Sequence, residues 1–160
     1  MGETRRCVGC GIELPVAAGP TYQYINSSPE CWALFGSVLA REFSDEAYGD
    51  AHRLTVDAYV VQHPDGQPAK SLVVHLIGLH LVLHQGMAMD AVTRYFQRYV
   101  ASHTDYPVLL PPSDRGVVTV GFVADSPTAA VHTDRVWAWA AAAWAAWSEH
   151  HDVIASLVES

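Results

Sequence analysis

The chain has 160 residues, half of them apolar, a formal net charge of −8 and a single lysine, Lys70. That length suits one domain spanning residues 1–160 around a single core, and so few, scattered cations argue against a nucleic-acid groove, where clustered Lys and Arg must meet phosphate. The longest apolar run, Leu72 to Leu83, is interrupted by His75 and His80 and falls short of the ~20 residues a bilayer crossing needs, so no membrane partner is expected.

The start, Met1 to Arg6, is polar with no apolar stretch behind it. No secretory signal is read there, and the cytoplasm is the expected location. Three cysteines without an export signal suit reduced thiols or metal ligation better than a disulfide framework. Two of them form Cys7-Val8-Gly9-Cys10-Gly11, which is half of a tetrahedral zinc site held by a glycine-bearing turn. Cys31 is the third thiol, and the fourth ligand must come from the nine histidines, chiefly His63 and His75. Residues 1–27 are punctuated by glycine and proline and lack a helical period, which predicts an irregular arm. Such an arm buries little apolar surface, so bound metal would supply the missing free energy.

Ser28-Pro29-Glu30 predicts a helix start: a hydroxyl cap, a proline whose missing N–H costs nothing there, and an acid at the positive dipole end. Helix 1 then runs to about Phe43, with Cys31 in its first turn, where free N–H groups favour thiolate. Burial as a small hydrophobe is the alternative for Cys31. Helix 2 is predicted from about Asp50 to His63, ended by Pro64-Asp65-Gly66, with His52, Val56, Tyr59 and His63 on one stripe. Helix 3, about Ala69 to Gln85, is apolar nearly all round and stops at Gly86, which predicts the most central helix. Asp90 is read as the cap of helix 4, about Ala91 to Ser102, so that residues 28–103 hold a four-helix core. The Pro/Gly-rich connection over 104–127 contains Val117 to Val120 as a candidate short strand. A Trp/Ala-rich helix fills much of 128–160, with Trp137, Trp144 and His151 recurring at intervals of seven. The expected fold class is all-α, a bundle of about five helices with an irregular zinc-binding arm.

Short connections make helices 1, 2 and 3 antiparallel neighbours, and reflecting them about their turns sets their levels. His63 then lies beside Cys31, His75 beside Asp57, and His80 near His52. The expected metal ligands are Cys7, Cys10, Cys31 and His63, with His75 and His151 as alternatives. His52 sits about three turns from His63 and cannot share its metal. Asp57 beside His75 suggests a carboxylate fixing an imidazole tautomer, either as a plain core hydrogen bond or, with Tyr59, as a catalytic pocket. His80 and His84, four residues apart, are more simply surface or semi-buried histidines than chelators. Of His150 and His151, the Trp137/Trp144 stripe selects His151 as the inward one.

At Ser28-Pro29-Glu30-Cys31-Trp32-Ala33, His52 to Tyr59, Val61-Gln62-His63-Pro64 and Val74 to Leu79, the chain resembles a family of uncharacterised bacterial proteins, domain of unknown function family 5946. The resemblance extends from Cys7 and Cys10 to His150-His151, and it implies shared positions at Cys7, Cys10, Cys31, Asp57, His63, His75 and His151. It brings no activity with it. A looser architectural similarity is to metal-dependent thiol-transferase-type bundles that hold a metal with three histidines, whose ligand spacing this chain does not match. The expected function is therefore a small zinc-binding protein whose metal ties the arm to the bundle. The alternative is a metal-dependent hydrolase or thiol-transfer enzyme using Asp57, Tyr59 and His75, and the partner is an unidentified small molecule or protein.

Overall fold

A computed structural model describes residues 2–160. The arm is a small antiparallel hairpin, β1 (Thr4–Arg6) paired with β2 (Glu13–Pro15), with Arg5 opposite Leu14. The sequence reading as an irregular arm missed it because strands of three residues, exposed except for half-buried Leu14, are too short to show an alternating pattern. That turn is the Cys7–Gly11 stretch. The Gly11 N–H donates to the Cys7 carbonyl at 2.9 Å and the Cys7 N–H to the Ile12 carbonyl at 2.8 Å. Gly11 has φ +82°, a value that suits glycine best.

Seven α-helices follow among the described residues: α1 (Pro29–Ser44), α2 (His52–Gln62), α3 (Ala69–Leu79), α4 (Met89–Ser102), α5 (Val120–Ala124), α6 (Ala129–Ala146) and α7 (His151–Glu159). The fold is helical, as expected, with more helices than five. Val117 to Val120 is not a strand: Val120 opens the short α5, which packs on α1 and α6. The C-terminal helix divides at Trp147 into α6 and α7 through a 3-10 turn. None of the described helices is long and apolar enough to cross a membrane.

Ser28 caps α1, its Oγ accepting the Cys31 N–H at 3.2 Å. Asp90 is not a cap: α4 begins at Met89 after Ala88, and Asp90 instead binds Arg94 one turn on, at 2.9 Å. The most enclosed helix is α2 rather than α3. It packs against both α3 and α6, and every residue from Asp57 to Gln62 is buried. Hydropathy alone favours α3 because the buried surface of α2 is partly polar. Those polar groups are partnered, which is what makes their burial tolerable. Gln62 shows how: its Nε2 donates to the carbonyls of Arg115 and Val118 at 2.9 and 2.8 Å, while its Oε1 accepts from Trp139 Nε1 at 2.8 Å.

Helix α3 passes into a π-helical turn, His80–His84, before Gly86 ends it at φ +66°. On α6 the buried stripe is Val136, Trp139, Ala140, Ala143 and Trp144, while Trp137 is exposed. The seven-residue spacing misleads here because a straight helix drifts ~20° per heptad and because this helix breaks before His151.

Candidate metal centre and a separate histidine cleft

Four side chains from three segments meet at one end of α2. Cys7 and Cys10 come from the hairpin turn, Cys31 from the first turn of α1, and His63 from the C-cap of α2. Their donor atoms all lie within 4.8 Å of one another and all four residues are buried. Cys10 Sγ is 3.8 Å from Cys31 Sγ, and His63 Nε2 is 3.5 Å from Cys7 Sγ and 3.6 Å from Cys31 Sγ. A tetrahedral centre with metal–sulfur bonds of ~2.3 Å and metal–nitrogen bonds of ~2.0 Å has edges of ~3.8 Å between sulfurs and ~3.5 Å between sulfur and nitrogen. The donor set fits a metal ion.

The surroundings favour a thiolate at Cys7 and fix the orientation of the His63 ring. His63 Nδ1 donates to the Tyr59 carbonyl at 2.7 Å, which leaves Nε2 with its lone pair toward the sulfurs. The Ser28 N–H donates to Cys7 Sγ at 3.4 Å, and the Tyr59 hydroxyl lies 3.4 Å from Cys31 Sγ. Hydrogen bonds from Cys10 and then Cys31 hold the Cys7 thiol well below the usual thiol range against the opposing effect of burial. Cys10 is favoured as thiolate by its bond to Cys31, but its bond to Cys7 and burial outweigh this and push it up to about 11. Cys31 is pushed up by its bonds to Cys10 and Cys7 and by burial. Three sulfurs this close cannot all carry charge without a cation between them, and a divalent ion removes that conflict.

Gly9 lets the turn settle on the ring: a Cβ there would collide with His63 Cδ2 and the Asn26 carbonyl. Arg115 reaches over the same turn, its Nη2 binding Asp65 Oδ2 at 3.2 Å.

Asp57 and His75 also meet, His75 Nδ1 donating to Asp57 Oδ1 at 2.7 Å. Tyr59 does not join them. Residues two apart on a helix point about 200° apart, and the Tyr59 ring lies between Phe35 and His63, its hydroxyl on Cys31. Burial and then the charge at Cys31 push the Tyr59 phenol upward, so it remains a donor. His75 therefore is not a fourth donor of the cysteine cluster. Nor is His151, whose ring stacks on Trp144 and whose Nε2 donates to the Trp144 carbonyl at 2.8 Å.

His80 is not beside His52. It stacks on His84 and meets the edge of Trp144, whereas His52 binds Glu42 and packs on Phe43. Sequence reasoning passed over Glu42 and His132, both fully buried in the side chain: His132 Nε2 donates to Glu42 Oε2 at 2.8 Å, and Thr55 Oγ1 donates to the same oxygen at 2.5 Å. No local signal pairs residues 90 positions apart; only an acid on the apolar face of α1 hinted at a partner.

A helical protein with a hairpin arm and a buried three-cysteine, one-histidine centre is thus the class that fold and site define. The chain belongs to the family of unknown function DUF5946, whose model matches residues 5–148. Comparison with curated proteins and with solved structures gives no match.

Proposed function

We propose that the protein is a zinc protein in which the metal is structural, fastening the N-terminal hairpin to the bundle. The observation that carries this reading is the convergence of Cys7, Cys10, Cys31 and His63 in a buried cluster with tetrahedral edge lengths. Soft thiolates and an imidazole favour zinc, and four protein donors leave no open position for substrate water. When bound, zinc would supply folding free energy on the order of 10 kcal/mol at neutral pH. The chain's residues do the rest: Tyr59 and Ser28 orient the donors, and Gly9 admits the turn. Reduced thiols fit a cytoplasmic setting.

The test is metal analysis of protein purified without a metal-binding tag. About one zinc per chain is expected, lost in Cys31→Ser, and a strong chelator should lower the melting temperature. Full occupancy in Cys31→Ser would refute the assignment.

The contact between His75 and Asp57 favours a second reading, a separate catalytic or ligand-binding pocket. The cleft that the pair lines includes none of the four cluster residues. The chemistry there would accordingly run without help from the zinc.

A further inference from the structure

The cleft between α2, α3 and α4 has a volume of about 390 Å³ and is lined by His52, Arg53, Val56, Asp57, His75 and Thr93 among others. Two imidazoles in it are held in the same way. His75 Nδ1 donates to Asp57 Oδ1 at 2.7 Å and His52 Nδ1 to Glu42 Oε1 at 3.2 Å. The carboxylates are buried, with side-chain exposures of 3% and 0%, while the imidazoles retain 25% and 33%. A proton fixed on Nδ1 puts the lone pair on Nε2. Neither Nε2 has a protein partner among the described residues, in contrast to His63, His132, His150 and His151, whose Nε2 atoms are engaged.

Asp57 supplies an independent observation. Its Oδ2 is buried without a protein partner, and a Cβ on Gly78 would stand 2.5 Å from it. The chain thus leaves room for a carboxylate whose charge bears on His75 alone. Glu42 differs, since it divides its charge among His52, Thr55 and His132. Arg53 stands on the same helix as His52, its guanidinium 5.4 Å from the Phe96 ring centroid and its Nη2 3.5 Å from Thr93 Oγ1. It forms no ion pair among the described residues, although the chain is acidic; the cleft's other carboxylate, Asp90, is taken by Arg94.

We infer that this cleft is a proton-transfer site for a small molecule carrying a carboxylate or phosphate group. The inference deepens the second reading above and rests on it. Arg53 binds the oxyanion. His75, with Asp57 behind it, accepts at Nε2 the proton of a substrate hydroxyl or of water, and the resulting imidazolium faces the undivided charge of Asp57. The substrate O–H bond breaks as the His75 Nε2–H bond forms, the oxygen keeps the electron pair, and the reverse transfer restores the neutral imidazole. His52, with its proton on Nδ1, offers its Nε2 lone pair to a substrate hydroxyl as a hydrogen-bond acceptor.

The test uses the zinc-loaded full chain treated with diethyl pyrocarbonate, with carbethoxylation of each histidine followed by peptide mass mapping. Millimolar inorganic phosphate is expected to protect His52 and His75 saturably while leaving the exposed His84 unprotected. Arg53→Ala should weaken that protection on the order of tenfold, and Arg53→Lys, which keeps the charge but not the planar fork, should restore only part of it. Acetate in place of phosphate reports whether a carboxylate suffices. Asp57→Asn should slow His75 on the order of tenfold without changing the rate at His84 or the zinc content. Protection that is absent, equal at His84 or indifferent to Arg53→Ala overturns the substrate class. An unchanged His75 rate in Asp57→Asn overturns the dyad itself, and with it the second reading.

Discussion

His63 Nδ1 donates to the carbonyl of Tyr59, one turn back on α2, and this bond aims Nε2 at Cys7 and Cys31. The same tyrosine sends its hydroxyl to Cys31. One residue thus fixes the imidazole through its backbone and supports the thiolate through its side chain. This geometry puts the cluster at one end of α2 and His52 at the other, where it lines the cleft.

His63→Ala is therefore expected to weaken zinc binding by at least ~100-fold, the upper end of what losing a supporting partner alone costs. His52→Ala should leave affinity unchanged. Competition against a chromophoric chelator measures both, and equal losses would mean that α2 does not separate the two sites.

Gly9→Ala inserts a Cβ where the His63 ring and the Asn26 carbonyl already stand. The turn must lift from the ring, at a cost of about 1–3 kcal/mol for overpacking. The expected result is a lower melting temperature with partial loss of zinc, while a Gly2→Ala control, in open space, changes neither.

Gln62 joins α2 to α6 and to the loop before α5 through three hydrogen bonds. Gln62→Ala orphans the Trp139 N–H and two carbonyls, and a loss on the order of 3 kcal/mol is expected in urea unfolding. A loss near zero would show that water replaces all three partners.

Burial, then the nearby His84 and His151, hold His80 below the ordinary histidine range. The unfolded chain therefore binds the proton more readily than the folded one. The stability contributed by neutral His80 is fully present above the unfolded value of ~6.5 and is lost as pH falls through the lowered folded value. Histidine NMR titration should place the His80 midpoint below the ordinary histidine value, and His80→Gln should flatten the melting temperature between neutral and mildly acidic pH.

Much of this protein is local chemistry and can be read along the chain. The Ser28-Pro29-Glu30 start, the Pro64-Asp65-Gly66 stop and the Gly86 terminus each follow from backbone preferences of the residues themselves, and so these three helix boundaries stand where the sequence puts them. The Cys7/Cys10 turn is legible for the same reason: two thiols at that spacing have few other uses. Antiparallel neighbours with short loops bring His63 to the level of Cys31 and His75 to that of Asp57 by simple reflection, because the rise per residue is fixed.

What depended on tertiary structure is everything set by direction around a helix axis or by distant partners. Tyr59 turns to the sulfurs and Asp57 to His75 because α2 is enclosed on several sides, and no stripe drawn on the sequence says which neighbour each side faces. Glu42 meets His132 across 90 residues, Gln62 meets Trp139 across 77, and His52 and His75 share a cleft to which α4 contributes one wall. These polar contacts are long-range and carry no periodicity. Only packing could decide them, since a buried polar group is tolerated where a partner happens to arrive and nowhere else.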